Sequence, residues 1–189
     1  MIKPPQVDPK KNSHCAWCGA EFAEKVAWPR TCFICNHESY KNPIPVAVGL
    51  IRVFQRGTAS QCGWLVEQRG IEPKKGEWAL PSGYINFGED WKEALSRELV
   101  EEVGLVTKPE DFDLFDIINA PTTGNMLVFG YHKQGVYADE VKFEVNSEVL
   151  AIKFPILPSH QELCFPSHNQ MWSKCYHDKA VARGFCVIV

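Results

Sequence analysis

The apolar positions of this chain change period several times, and each change marks an element. Between Trp91 and Val103 they recur every four residues (Trp91, Leu95, Leu99, Val103), which predicts a helix with one stripe for a core. Asp90 followed three residues later by Glu93 fits a capping box at its start, and Gly104 fits the left-handed residue that stops it. Val46 to Phe54 is rich in β-branched and apolar residues and predicts a buried strand, with Cys62 to Gln68 as its hairpin partner across Gln55 to Ser60. Further strands are predicted at Asp113 to Ala120, Asn125 to Lys133 and Glu148 to Phe154. Helices are predicted over Pro158 to Leu163 and His168 to Arg183, the second with Met171, Trp172, Cys175 and Tyr176 on one apolar face. Alternating strands and flanking helices predict an α/β fold, an α/β/α sandwich on a mixed sheet.

A length of 189 residues allows one good core plus a small satellite. With 45% apolar residues and no apolar run of ~18 or more, the chain reads as soluble and globular, without a membrane span. A net charge of −3 gives no general attraction to nucleic acid or anionic lipid. Residues 1–14 are polar and Pro/Lys-rich, lack the apolar core of a secretory signal, and predict a flexible tail. Of eight cysteines, four are grouped as metal ligands and four are scattered, which favours a reducing, cytoplasmic setting. Cys62, Cys164, Cys175 and Cys186 then read as buried thiols, and His132, His160, His168 and His177 as surface or satisfied histidines.

The grouped cysteines form two C-x-x-C pairs, Cys15/Cys18 and Cys32/Cys35, thirteen residues apart. Each pair places two thiolates on a tight turn, and two turns together offer a tetrahedral S₄ site for structural Zn²⁺. The duplication favours a zinc ribbon over 15–40 rather than a redox motif or two disulfides. Gly19 follows the first pair, where such a turn favours positive φ. So small a segment buries little core, and the metal would supply its folding energy. His14 and His37 flank the site as bystanders. Between Cys15 and Cys35 only Lys25 and Arg30 are basic, a poor footprint for nucleic acid. Trp17, Trp28 and Phe33 are of a type that stacks on bases, but satellite core or an interdomain contact accounts for them without a ligand. Lys41 to Pro45 is a stiff linker, leaving 41–189 as the main domain.

Glu98, Glu101 and Glu102 share one helix face within an arc of roughly 100°. Alone, such a triplet is usually a solvated face. Carboxylates so close repel unless a cation stands among them, and hard oxygen ligands suit Mg²⁺ or Mn²⁺ where substrate phosphates complete the coordination. The triplet sits in a longer string. Gly83, Glu89, Arg97, Glu98, Leu99, Glu101, Glu102, Gly104 and Leu105 resemble the Nudix box at every defining position. The lead-in from Gly76 to Gly83 is similar too. A zinc ribbon followed by Tyr40-Lys-Asn-Pro43 resembles the branch holding NADH pyrophosphatases and the FAD/ADP-ribose pyrophosphatases of bacteria and plants.

That resemblance implies that Glu98, Glu101 and Glu102, with the Gly83 carbonyl, hold Mg²⁺ or Mn²⁺. It implies a catalytic glutamate to orient or deprotonate water: Glu101, Glu98, or one on a later loop such as Glu148 or Glu144. Arg97 would pair with Glu89 or Glu93 and hold helix and loop in register. Arg69, at a predicted strand end, is a candidate for substrate phosphate, with a surface salt bridge as the equal alternative. Trp78 reads as core. NADH-preferring relatives carry a Ser-Gln-Pro-Trp-Pro-Phe-Pro-x-Ser run after the box; here Asn119 to Met126 does not match. The run Leu157 to Phe165 looks more like the FAD/ADP-ribose group. The expected reaction is hydrolysis of the nucleotide ADP-ribose or FAD to AMP plus ribose 5-phosphate or FMN. The alternatives are an NADH or NAD-cap diphosphatase, a non-catalytic ligand sensor, which would usually have lost box carboxylates, and a zinc-ribbon binding module. Relatives are often dimers, so the resemblance brings a homodimer into view, with a base pocket shared between subunits.

Overall fold

A computed structural model describes residues 12–22, 27–57, 62–121, 123–158 and 162–178. The chain divides into two units, Met1–Pro43 and Ile44–Val189. In the first, the short antiparallel strands β1 (Arg30–Thr31) and β2 (Glu38–Ser39) pair, and His14 bridges to Glu21. Among the described residues its core is Cys15, Phe22 and Cys32, with Ala20 and Cys35 packed against them. The backbone N–H of Phe22 donates to the Ser13 carbonyl at 2.7 Å. Ser13 and His14, assigned to the tail by sequence, are therefore tied into this unit, while residues 1–11 lie outside the described set.

The second unit runs β3 (Pro45–Leu50), β4 (Arg52–Phe54), β5 (Cys62–Trp64), β6 (Val66–Arg69), β7 (Trp78–Ala79), β8 (Ser82–Tyr84) and α1 (Trp91–Val103). It continues through β9 (Phe112–Asn119), β10 (Met126–His132), β11 (Val136–Tyr137), β12 (Val149–Lys153) and α2 (Pro166–His177). The largest sheet has the order β8-β3-β10-β9; only β3 and β10 run parallel in it, so it is mixed. Two three-stranded sheets, β11-β4-β5 and β12-β6-β7, complete the unit.

Successive side chains on β3 point to opposite faces. Val48 and Leu50 join Trp64, Phe129, Met171, Trp172 and Cys175 on the α2 side, while Ala47 joins Leu65, Leu95, Leu99, Val103 and Phe112 on the α1 side. A helix thus covers each face, and the fold is the expected α/β sandwich. The predicted strand over 46–54 is broken at Ile51 and its partner over 62–68 at Leu65, where the Leu65 N–H donates to the Ile51 carbonyl at 2.9 Å. The paired breaks let β3 and β6 join other sheets while β4 and β5 keep the hairpin. The second predicted helix starts at Pro166, a residue suited to a first turn, instead of His168. Leu163 is not helical, and residues 159–161 and 179–183 lie outside the described set. Cys175 is buried, but Cys164 is only half-buried. His168 is buried and satisfied, its Nδ1 accepting from the Leu80 N–H at 3.2 Å. Among the described residues no helix is long and apolar enough to cross a membrane.

Candidate active site and cysteine cluster

Local chemistry sets the ends of α1. The Lys92 N–H donates to Asp90 Oδ1, and the Asp90 N–H to Glu93 Oε2, both at 2.9 Å, closing the capping box. Gly104 ends the helix at φ 66°, a left-handed conformation that glycine adopts without strain. Docking Leu95, Leu99 and Val103 into the core turns Glu98 and Glu102 inward, to 8% and 6% exposure, and leaves the Glu101 side chain 59% exposed. The three carboxylates thus divide into two buried and one accessible.

The buried two meet the turn formed by β8. A Cβ on Gly83 would overlap the Glu98 carboxylate, so only glycine admits it. The Ser82 N–H donates to Glu102 Oε2 at 3.1 Å. Arg97 is the brace. It grips Glu89 with Nε and Nη2 at 2.8 and 3.0 Å, donates from Nη1 to Glu98 at 2.6 Å and Glu101 at 3.2 Å, and from Nη2 to the Tyr84 carbonyl at 3.0 Å. Its donation holds the Glu89 carboxyl down at about 2. Glu93 is occupied by the cap, so Glu89 is the partner of the two foreseen.

Two residues here were not foreseen. Glu67 on β6 is 1% exposed, and its carboxyl interacts with that of Glu102. Burial pushes the Glu67 carboxyl up to about 8, with the charges of Glu98 and Glu148 acting the same way. Burial, then the charges of Glu67 and Glu98, raises Glu102 well above the usual carboxylate range; burial raises Glu98 despite Arg97. Asn146 donates from Nδ2 to the Glu102 carbonyl at 3.1 Å and accepts at Oδ1 from the Glu148 and Val149 N–H groups at 2.9 and 2.8 Å. It ties the loop before β12 to the end of α1, bringing the exposed Glu148 beside the cluster. The Glu148 carbonyl in turn accepts from the Gly70 N–H at 2.6 Å, at the end of β6. Glu67 had no sequence signal, and of the Asn146 bonds only the local ones to Glu148 and Val149 could have been read, since its tie to Glu102 spans 44 positions.

Arg69 donates from Nε to the Pro73 carbonyl at 2.8 Å, and its guanidinium lies 5.3 Å from the Phe165 ring centre. Trp78 is half-buried against the α2-side core, with the Lys153 ammonium 3.7 Å from its ring centre. The donor set around Glu98 and Glu102 is all oxygen and short of positive charge inside. Glu67 Oε2 is buried without a hydrogen-bond partner. Both features suit a hard divalent cation, but among the described residues no three carboxylates bring their oxygens within 4.8 Å of one another as the four cysteine sulfurs do, so binding would draw these side chains together.

In the first unit the four Sγ atoms of Cys15, Cys18, Cys32 and Cys35 lie within 4.8 Å of one another. Cys15 and Cys35 are 3.8 Å apart, Cys18 and Cys32 3.6 Å. A tetrahedron with Zn–S bonds of about 2.3 Å has edges of about 3.8 Å, so the cluster fits zinc. The knuckle amides favour thiolate: N–H groups of Cys18 and Trp17 lower Cys15 to about 6, and those of Cys35 and Ile34 lower Cys32. At Cys35 the His37 amide is outweighed by burial and the other three sulfurs, which push the thiol up to about 12, a crowding that a cation would relieve. The His37 ring stacks on Trp17, with ring centres 5.5 Å apart.

A family model of the NUDIX domain matches residues 43–169, and the chain belongs to the Nudix family. It is 30% identical over 90 residues to the ADP-ribose pyrophosphatase of Methanocaldococcus jannaschii, covering 48% of each protein. To the NAD-capped RNA hydrolase NudC of Shigella flexneri it is 24% identical over 100 residues, covering 52% of this chain and 36% of that one. The match therefore spans less than half the length of each of these relatives. Among solved structures, the fold is shared with a NUDIX hydrolase from Nitrosomonas europaea (TM-score 0.59, 19% identity, covering 89% of this chain and 92% of that one). It is shared also with the NUDIX domain of Shewanella oneidensis NrtR, solved with ADP ribose (TM-score 0.59, 19% identity, covering 72% and 88%).

Proposed function

We propose that this chain is a divalent-cation-dependent pyrophosphatase that splits the diphosphate of ADP-ribose or FAD to release AMP. The observation that carries the reading is the seating of Glu98 on Gly83 and of Glu102 on the Ser82 amide, which concentrates carboxylate oxygens at one turn with too little positive charge inside. Residues 15–40 act as a structural zinc ribbon and 41–189 as the catalytic domain.

Glu98, Glu101 and Glu102, with the Gly83 carbonyl, would hold Mg²⁺ or Mn²⁺. Such a cation, when bound, neutralises the phosphate oxygens and acidifies a water. Water oxygen adds to one phosphorus, the bond from that phosphorus to the bridging oxygen breaks, and the bridging oxygen leaves with the other phosphate. The water proton goes to a carboxylate. Glu101 is the base we favour, because it is accessible and only Arg97 engages it; Glu98 and Glu148 are the other candidates. Arg97 positions both Glu98 and Glu101, and Arg69 is the candidate phosphate contact.

The substrate class is supported by the ADP-ribose named for the Methanocaldococcus relative and for the NrtR complex, and by the run Leu157 to Phe165. The test is AMP release from FAD, ADP-ribose, NADH, NAD⁺ and ADP-glucose with Mg²⁺ or Mn²⁺, alongside a Glu101→Gln sample. AMP from FAD or ADP-ribose that disappears in the variant is the expected result. AMP mainly from NADH would overturn the substrate assignment, and no turnover with either cation would overturn the enzyme reading.

A further inference from the structure

Glu67 has no place in the reaction described above, yet it is the most deeply buried carboxyl of the cluster. It enters from the opposite side to the helix glutamates, on β6, a strand held between β7 and β12. Its carboxyl interacts with that of Glu102, and among the described residues its Oε2 is buried with no hydrogen-bond partner. A buried carboxyl oxygen left unpaired is destabilising. The cost is avoided if a group absent from the protein itself satisfies that oxygen. The neighbours say what kind of group. Glu98 and Glu148 both act on Glu67 as negative charges, offset by the charge of Arg69. A neutral donor would satisfy the oxygen but leave the neighbouring negative charge unrelieved, whereas a small cation does both.

We propose that Glu67 is a strand-borne ligand of the divalent cation, sharing it with Glu102 so that the metal is held from the sheet as well as from α1. This rests on the cation-dependent reading of the site. Octahedral coordination at about 2.1 Å places neighbouring oxygens about 3 Å apart, close to the spacing of a hydrogen-bonded carboxyl pair. The consequence is a cation seat anchored at its inner end by a rigid strand, with the exposed Glu101 at its outer end, toward substrate and water.

The test is titration of the full, zinc-loaded chain with Mn²⁺, following free Mn²⁺ by electron paramagnetic resonance, for wild type, Glu67→Gln and Glu98→Gln. Glutamine keeps the shape of Glu67 and removes its charge. The expected result is a 10- to 100-fold weaker site in Glu67→Gln, with wild-type far-UV circular dichroism. Wild-type affinity in Glu67→Gln, with Glu98→Gln weakened, would overturn this assignment alone. Absence of Mn²⁺ binding by wild type would overturn the assignment together with the cation-dependent reading. Should Glu67→Gln fail to fold, manganese anomalous scattering from wild-type crystals decides. An ion within about 2.5 Å of a Glu67 oxygen supports the assignment, and an ion on Glu98 or Glu102 with Glu67 beyond about 4 Å overturns it.

Discussion

Arg97→Lys is the most informative single substitution at the box, because it keeps the charge and removes the fork. Arg97 makes five contacts at 2.6–3.2 Å: two to Glu89, one each to Glu98, Glu101 and the Tyr84 carbonyl. A lysine ammonium cannot span Glu89 on one side and Glu98 on the other, so it would keep one and lose the rest. Charged hydrogen bonds contribute roughly 1.5–3 kcal/mol each when shielded. The Glu89 and Glu98 side chains are 16% and 11% exposed, but Glu101 is 59% exposed and its contact counts for little. The expected loss is about 2–4 kcal/mol, or a fall of roughly 5–15 °C in Tm.

A pH signature separates this account from general damage. Arg97 depresses Glu89 from 4.5 to about 2 in the folded chain. A depressed carboxylate contributes stability that is present above pH 4.5 and is lost as pH falls toward 2. The full shift corresponds to at most roughly 3 kcal/mol, and partial exposure reduces it to about 1–2. Wild type should therefore lose stability across that window, and Arg97→Lys should lose visibly less because most was already gone. Urea unfolding at pH 7, 5, 4 and 3, followed at 222 nm, measures both effects. Among its described residues the cysteine-bearing unit has no helix, so that signal reports the larger unit. An unchanged urea midpoint at pH 7, with acid limbs parallel in the two proteins, would refute the brace.

Two other substitutions test the remaining geometry. Gly83→Ala places a methyl group where the Glu98 carboxylate lies, and since Glu98 can swing aside the fold should survive. Its expected effect is a fall of about 10²-fold in kcat with Tm within a few degrees of wild type, measured by AMP release and calorimetry; wild-type kcat would sink the seating argument. Cys32→Ser removes one of four converging sulfurs from a five-residue core. Metal analysis should give about one zinc per chain for wild type and none for the variant, with the 222 nm transition little changed. Retention of zinc by the variant would refute the S₄ assignment.

What could be read from the sequence was what local contacts decide. Asp90, Glu93 and Gly104 cap a helix through residues at most five positions away, so its ends could be placed to the residue. The cysteine pairs were legible for the same reason. The broken strands were not: Ile51 and Leu65 are as apolar as their neighbours, and the break follows from which sheet each half joins. β4, for instance, pairs in parallel with Val136–Tyr137, more than eighty residues away. Glu67 was hidden more completely. In Leu65-Val66-Glu67-Gln68-Arg69 it reads as a polar position turned to solvent, and only the arrival of Glu102 from α1 makes it interior.

One consequence of the helix geometry was available from the start and ties stability to chemistry. At 100° per residue, with Leu99 at zero, Glu98 lies about 100° to one side, Glu102 about 60° to the same side, and Glu101 about 160° away. Seating Leu95, Leu99 and Val103 in the core therefore forces Glu102 and Glu98 into partial burial and forces Glu101 out. Full burial of an aliphatic side chain stabilises by roughly 1.5–3 kcal/mol. Three such side chains, all fully buried, are enough to hold two carboxyls in surroundings that raise their proton affinity. The helix cannot turn to relieve those carboxyls without withdrawing the stripe. The backbone positions of both glutamates are thus set by the core before any ion or substrate arrives, and only side-chain movement is left for a cation to impose.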